Sequence, residues 1–338
     1  MFGATSRNMP SHFGAVTDRM NLSGGSTVNA NWPDIPFEQW HETFSALHIY
    51  SQIVGKYRLA RTPWLNHSWH ATLYVNTRGL TTSLVPDGAG TEITLDLRKH
   101  VVIGEAADGR RAELPLGPMS VADFYVHFLE LVRGIGGTPE LHDRPSEVSA
   151  PIPFRDDRQT RPYDAAAVTR FFEALVLANN VFTRFRTGFI GKASPVHLFW
   201  GSFDLAVTRF SGRRAPLHPG SIPALPDEVT REAYSHEVSS AGFWPGGGST
   251  DFAAFYSYAY PAPADFAEAK VMPDGAYFDP KLGEFLLPYD VVRQSADPEV
   301  ALTAFLESTY FAAADLGHWD RMALDCPTGL PRRPRPLS

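Results

Sequence analysis

Residues 189–213, FIGKASPVHLFWGSFDLAVTRFSGR, carry a strand over HLFWGSFDLAVTRF, with Gly201-Ser202 placed as a bulge within it. With residues 235–248, SHEVSSAGFWPGGG, this stretch sets His197, Asp204, Arg209, Arg213, Arg214, His236 and Glu237 among aromatics and glycines. Such a mixture is expected where polar groups line a partly apolar cavity. The block therefore fixes a sheet in the second half of the chain and offers it as the place of a site.

Working outward, Asp164 caps a helix whose apolar face is Val168, Phe171, Leu175, Phe182 and Phe185. DFAAFYSYAYP, AYFDP and GEFLLPY read as further strands, and DPEVALTAFLESTYFAAADLG as a last helix. In the first half, Asp34 or Pro36 leads into a helix using Trp40, Phe44, Leu47, Tyr50 and Val54, with the basic KYRLAR stretch after it. HSWHATLYV alternates Trp69, Ala71, Leu73 and Val75 against His70, Thr72, Tyr74 and Asn76, the pattern of a half-buried strand. GLTTSLVP, TEITLDLRKHVVIGE and RRAELPL follow as strands, with turns at Asp87-Gly88 and Asp108-Gly109. Ser120 opens a helix from Val121 to about Val132, with Asp123 as its near-capping partner.

Both halves thus run helix, Gly-Lys, aromatic strand, further strands, helix. Gly55-Lys56 answers to Gly191-Lys192, and Ser68-Trp69 to Ser202-Phe203. The expectation is an α+β fold of two related antiparallel-sheet-plus-helix repeats with approximate internal two-fold symmetry. Residues 1–31 read as a flexible leader, 32–140 as the first repeat, 141–163 as a connecting strap, 164–324 as the second repeat and 325–338 as a loose tail.

Thirty Lys and Arg against 37 Asp and Glu give a net charge of -7, which argues against nucleic acid as the main partner. The single cysteine, Cys326, excludes an internal disulfide and a thiolate metal cluster. No apolar stretch reaches spanning length and the start carries no signal-peptide pattern, so a cytoplasmic protein without a membrane partner is expected.

For chemistry, His197 or His236 would move a proton, oriented by Asp204 or Glu237. Arg209 and Arg213 would grip an anion, with His70, Trp200, Phe243, Trp244 and Tyr258 as further lining residues. The ordinary readings stand beside these: neutral structural histidines, surface ion pairs, and an aromatic sheet face packed under a helix. A metal set drawn from His67, His70, His197, Asp204, His236 and Glu237 lacks any helical HExxH spacing, and FWPGGGST lacks the lysine of a phosphate loop. The function expected is binding or conversion of a small anionic molecule in a pocket between the repeats. A non-catalytic interaction or structural protein and a metal-dependent hydrolase-like enzyme remain the alternatives. No cofactor and no oligomeric state can be read.

WPDIPFEQWHETFSALHIYSQIVGK, TPWLNHSWHATLYVNTRGLTTS, SPVHLFWGSFDLAVTRFSGRRAPLHPG and REAYSHEVSSAGFWPGGG together resemble DUF5996, a family of uncharacterised bacterial proteins, over about residues 32–324. The resemblance implies a shared fold with these blocks around a common feature. It implies no reaction, cofactor or catalytic residue.

Overall fold

The computed structural model describes residues 31–248 and 250–335, so the leader expected over residues 1–31 lies outside it save for Asn31. The chain enters at Trp32 and forms α1, Phe37–Arg61, whose expected apolar face is buried at Trp40, Phe44, Leu47, Tyr50 and Val54. KYRLAR does not follow this helix but completes it, and Arg58 and Arg61 stand in the last turn, where cations oppose the helix dipole favourably. Thr62, which precedes Pro63, leaves the helical region and ends it.

HSWHATLYV is not the expected strand. His67 and Ser68 have positive φ (59° and 57°) inside a short 3-10 turn at Asn66–Ser68, and only Tyr74–Val75 pairs as β1. From there β2 (Gly79–Thr81), β3 (Thr91–Asp96), β4 (Val101–Ala106) and β5 (Arg111–Pro115) form an antiparallel meander in that order. Gly88 and Gly109 take the positive φ (57° and 92°) required at the two Asp-Gly turns. After β6 (Met119–Ser120) comes α2, Val121–Gly134. The Ser120 hydroxyl accepts the Asp123 amide at 3.0 Å and donates to the Asp123 carboxylate at 2.7 Å, a cap that stabilises such a helix by about 1 kcal/mol.

The strap that follows is anchored rather than loose. Phe154 is fully buried, and β7 (Thr160–Arg161) pairs with β6. Asp164 then caps α3, Ala165–Arg186, through the amides of Ala166 and Ala167, and the expected apolar face is buried. By length and composition α3 could cross a membrane, yet half of its apolar window is buried in the protein, as in a core helix.

HLFWGSFDLAVTRF is a hairpin, not one bulged strand. β8 (His197–Phe199) turns through residues 200–203 into β9 (Asp204–Arg214), with Phe203 at φ 57°, and Phe199 pairs with Asp204. Next come α4 (Asp227–Ala233), β10 (His236–Trp244), β11 (Ala254–Tyr260), β12 (Tyr277–Asp279) and β13 (Glu284–Pro288). Their sheet runs β12-β13-β11-β10-β9-β8, antiparallel throughout. Helices α5 (Tyr289–Arg293), α6 (Pro298–Leu316) and α7 (Arg321–Leu324) complete the chain.

The fold is therefore mixed α and β with antiparallel sheets, and Asn31 onward forms one compact unit. The two sheets meet edge to edge where Leu73 and Leu198 exchange backbone hydrogen bonds of 2.9 and 2.8 Å. An internal two-fold is not established. One sheet has five strands in sequence order and the other six with β13 inserted beside β11, while Gly55-Lys56 lies inside α1 and Gly191-Lys192 in a loop.

Strand alternation gives the second sheet two unlike faces. Leu205, Val207, Phe243, Phe255, Phe285 and Leu287 point to the side where α3 and α6 pack, and they belong to the buried core. Asp204, Gly242, Trp244, Tyr256, Tyr258 and Glu284 point to the other side, which no helix of the second half covers in this way. An antiparallel sheet with one packed and one polar face is ordinary; a polar face of phenols and carboxylates is the place to look for chemistry.

Candidate functional site

Asp204 is at the centre of that face. It begins β9, is only 5% exposed, and accepts hydrogen bonds from the Ser202 hydroxyl at 2.5 Å and from the Tyr256 hydroxyl. Tyr256 reaches it from β11 by lying across β10 at Gly242, where a Cβ would overlap the phenol ring. Trp244 packs on Tyr256 with ring centroids 4.4 Å apart, and Tyr258 continues the row at 6.1 Å in a nearly parallel plane. Tyr234, from the end of α4, shares a 2.9 Å hydrogen bond with the Tyr258 hydroxyl. Glu284 emerges beside this row, with Oε2 buried and without a hydrogen-bond partner.

The strap closes the opposite side. Ser146 exchanges two hydrogen bonds with the Gln52 side chain of α1, at 2.8 and 3.0 Å, and its hydroxyl accepts the Lys56 ammonium at 2.8 Å. This pins the next residue, Glu147, which has φ 60°. A left-handed backbone at a non-glycine residue is sterically unfavourable and persists where surrounding contacts over-determine it. The Glu147 carboxylate rests against Gly201, where a Cβ would overlap Oε1, and among the described residues it has neither a hydrogen bond nor an ion pair. His48 completes this wall, its Nε2 lying 2.8 Å from the Gly201 carbonyl and 3.1 Å from that of Trp200.

Burial sets the electrostatics. It pushes Glu147 up to about 7, with the negative charge of Asp204 adding and Lys56 opposing. Glu284 is pushed up to about 8 by burial, then by Asp204 and Asp279. Asp204 is itself raised by burial, against the pull of its Ser202 and Tyr256 hydrogen bonds. Lys56 is lowered to about 8 by burial, with Glu147 opposing. His48 is lowered by burial despite its two carbonyl contacts. Glu147, Glu284, Tyr234 and Tyr258 are half-buried, each keeping some solvent-accessible surface.

Of the residues expected from sequence, Asp204, Trp244 and Tyr258 meet here. His197 does not join them as a proton carrier. It is fully buried, its Nδ1 lies 3.1 Å from the Thr72 hydroxyl, its Nε2 has no partner, and burial lowers it to about 3. His70 holds the Leu65 amide at 3.1 Å, and Trp200 lies over Gly55 while donating to the Ala71 carbonyl at 2.6 Å. Both brace the junction of α1 with the sheets. Phe243 faces the helices, 5.2 Å from Phe255.

The arginines are occupied elsewhere. Arg209 donates to the Phe185 carbonyl at 2.5 Å and sits 3.6 Å from the Phe185 ring centre and 4.3 Å from that of Tyr310, on the helix side of the sheet. Arg213 pairs with Glu237 at 2.7 Å and caps the Gly317 carbonyl. His236 contacts Ser235 at 3.1 Å and stands 6.1 Å from His67, near a Lys192–His67 contact of 2.6 Å. Among the described residues no three His, Cys, Asp or Glu side chains are grouped to hold a metal ion.

Two surface cavities lie away from this recess. One of about 440 Å³ is lined by Arg186, Arg333 and Arg335 near the end of α3, and one of about 150 Å³ by Arg213, Glu237 and Trp319. The recess around Asp204 is the stronger candidate because it sets the buried, unpartnered Glu284 Oε2 and the strained Glu147 beside aromatic walls. Glu147 and Glu284 were missed from sequence. Glu147 sits in a proline-bearing strap with no periodic signal, whereas Glu284 could have been found by carrying the Tyr256–Tyr258 face across to its neighbouring strand.

Residues 32–326 match the model of a family of unknown function, DUF5996, and since this is most of the chain the protein belongs to that family. No curated protein and no solved structure matches it.

Proposed function

We propose that this DUF5996 protein binds a small organic molecule in the recess over the polar face of the second sheet and exchanges a proton with it through Glu147. The observation that carries the reading is the Glu147 carboxyl, enclosed, held by a left-handed backbone, reached by solvent and left without a partner. Burial and the Asp204 charge push it up to about 7, the range that a general acid or base at neutral pH requires. Asp204, fixed by Ser202 and Tyr256, is the neighbouring fixed acceptor, while Lys56 and the phenols of Tyr234 and Tyr258 are the available donors. These parts suit metal-free acid–base chemistry, or binding alone if no bond in the ligand is labile.

The test is the titration of the Glu147 carboxyl carbon by NMR, with Glu147→Gln supplying the assignment. A midpoint near neutrality that moves when a compound perturbs the Trp244 indole signal supports the reading. A midpoint in the ordinary carboxylate range, unmoved by such compounds, overturns it.

The anionic ligand expected from sequence is favoured by one observation, at another place: the cavity of about 440 Å³ presents Arg186, Arg333 and Arg335 with no acidic lining residue. Inorganic phosphate should shift backbone signals of Thr187 and Gly191 in the wild type and not in Arg186→Ser. Equal shifts in both would remove this second reading.

A further inference from the structure

We infer that the ligand of the Asp204 recess carries a positively charged nitrogen, an organic ammonium or amidinium, attracted by the carboxyls of Glu147 and Glu284 around Asp204 and seated against the Trp244–Tyr256–Tyr258 aromatic row. This rests on the recess being the functional site and adds the class of its ligand. Three features lead to it. The first is what the walls lack. Glu147 accepts no hydrogen bond, and Glu284 Oε2 is buried without one. A buried carboxylate oxygen such as Glu284 Oε2 is costly without a donor, and the part-exposed Glu147 carboxylate is open to accept one, so a hydrogen-bond donor suits both.

The second is charge. The titratable and charged groups around Asp204 are Glu147 from the strap, Glu284 and Asp279 from β13 and β12, Lys56 and His48 from α1, and the phenols of Tyr234, Tyr256 and Tyr258. Carboxyls outnumber the single ammonium. Once Glu147 and Glu284 have lost their protons, near 7 and 8, an anion would meet like charge and a neutral polyol would leave that charge uncompensated. The third is the aromatic wall. Part-exposed Trp244 and Tyr258 flank buried Tyr256, and aromatic faces attract cations most where water is excluded. A metal cation is not the occupant that fits, because the carboxylates are not grouped as ligands and the rings offer it nothing.

The pH dependence follows with one sign. As pH rises, Glu147 and Glu284 lose protons near 7 and 8 and Lys56 loses its charge near 8, and each change favours a bound cation.

Three probes that share one ring separate the possibilities: benzylammonium, benzyl alcohol and benzoate, titrated by calorimetry while the Trp244 indole signal is followed by NMR. Benzylammonium should bind about tenfold or more tighter than benzyl alcohol, with affinity rising from pH 6 to pH 8 and protons released on binding. Benzoate should not bind. In Glu147→Gln/Glu284→Gln the preference for benzylammonium should vanish while benzyl alcohol is unaffected, a result that misfolding would not give. If benzoate or benzyl alcohol perturbs Trp244 as strongly as benzylammonium, the recess stands as a site and the cationic class falls. If none of the three perturbs Trp244 at millimolar concentration, both fall.

Discussion

Replacing Glu147 by glutamine should make the fold more stable, and the gain should depend on pH in a direction that the structure fixes. The carboxyl is raised from 4.5 to about 7 by burial and by the charge of Asp204. A group whose folded pKa lies above its unfolded value binds protons more tightly in the native state, so stability falls as pH rises between the two values. The native protein therefore keeps a neutral Glu147 at no electrostatic penalty near pH 5 and carries an ill-placed charge near pH 8. At about 1.4 kcal/mol per unit the shift sets an upper bound of about 3.5 kcal/mol, and solvent reaching the carboxyl reduces this to about 1–2 kcal/mol. Glutamine has the same shape and no charge to lose. Urea unfolding of both proteins at the two pH values should show a small gain for Glu147→Gln at the acid value, just above the unfolded pKa, and a clearly larger one at the alkaline value. A gain that is the same at both pH values, or a loss at the alkaline one, would refute the argument.

Three further outcomes follow from the packing. Gly55→Ala, which in an exposed helix interior would stabilise by about 1 kcal/mol, should lower the melting temperature, because the new Cβ would overlap the Trp200 indole against α1. Tyr256→Phe removes one of two donors to the buried Asp204 carboxylate and should destabilise by about 1–3 kcal/mol at pH 8, which chemical denaturation measures. The His197 ring signals should not move between pH 5 and pH 8, since burial holds the imidazole near 3, and a titration step in that range would restore it as a proton carrier.

Much of the architecture was legible because local and long-range signals agree. The α2 and α3 caps at Ser120 and Asp164, the Asp-Gly turns and the alternation of Tyr256 and Tyr258 each have a local cause that tertiary packing leaves in place. Two readings failed for one reason. HSWHATLYV and HLFWGSFDLAVTRF both alternate like strands, but left-handed residues at His67, Ser68 and Phe203 break the first into a turn and fold the second into a hairpin. Positive φ at a serine or a phenylalanine carries no compositional mark, and at a histidine only a weak one. The hairpin also changed the chemistry expected of His197, since pairing with Ala206 sets it among Trp69, Tyr74 and Phe199 instead of beside a free carboxylate. The site was half legible. Its sheet residues follow from alternation, whereas Glu147 depends on Ser146 gripping Gln52 and Lys56 on a helix some ninety residues earlier.

The groups around Asp204 share a property that distinguishes them from the rest of the core. Glu147 occupies an unfavourable backbone region, Glu284 buries an oxygen without a donor, and Gly201 and Gly242 leave out side chains that would displace Glu147 and Tyr256. Apolar residues of similar volume would be the more stable filling of such a space. If the arrangement is a site held at the expense of stability, relieving it should stabilise additively, because Glu147 and Glu284 are each raised by Asp204 and neither owes its shift chiefly to the other. Glu147→Gln/Glu284→Gln should then gain, at pH 8, about the sum of the two single gains in urea unfolding, while losing the proton release that the wild type shows on binding benzylammonium. A double variant no more stable than either single one would mean that the two carboxyls share one charge, and the recess would then be a coupled pair rather than two separate acceptors awaiting a donor.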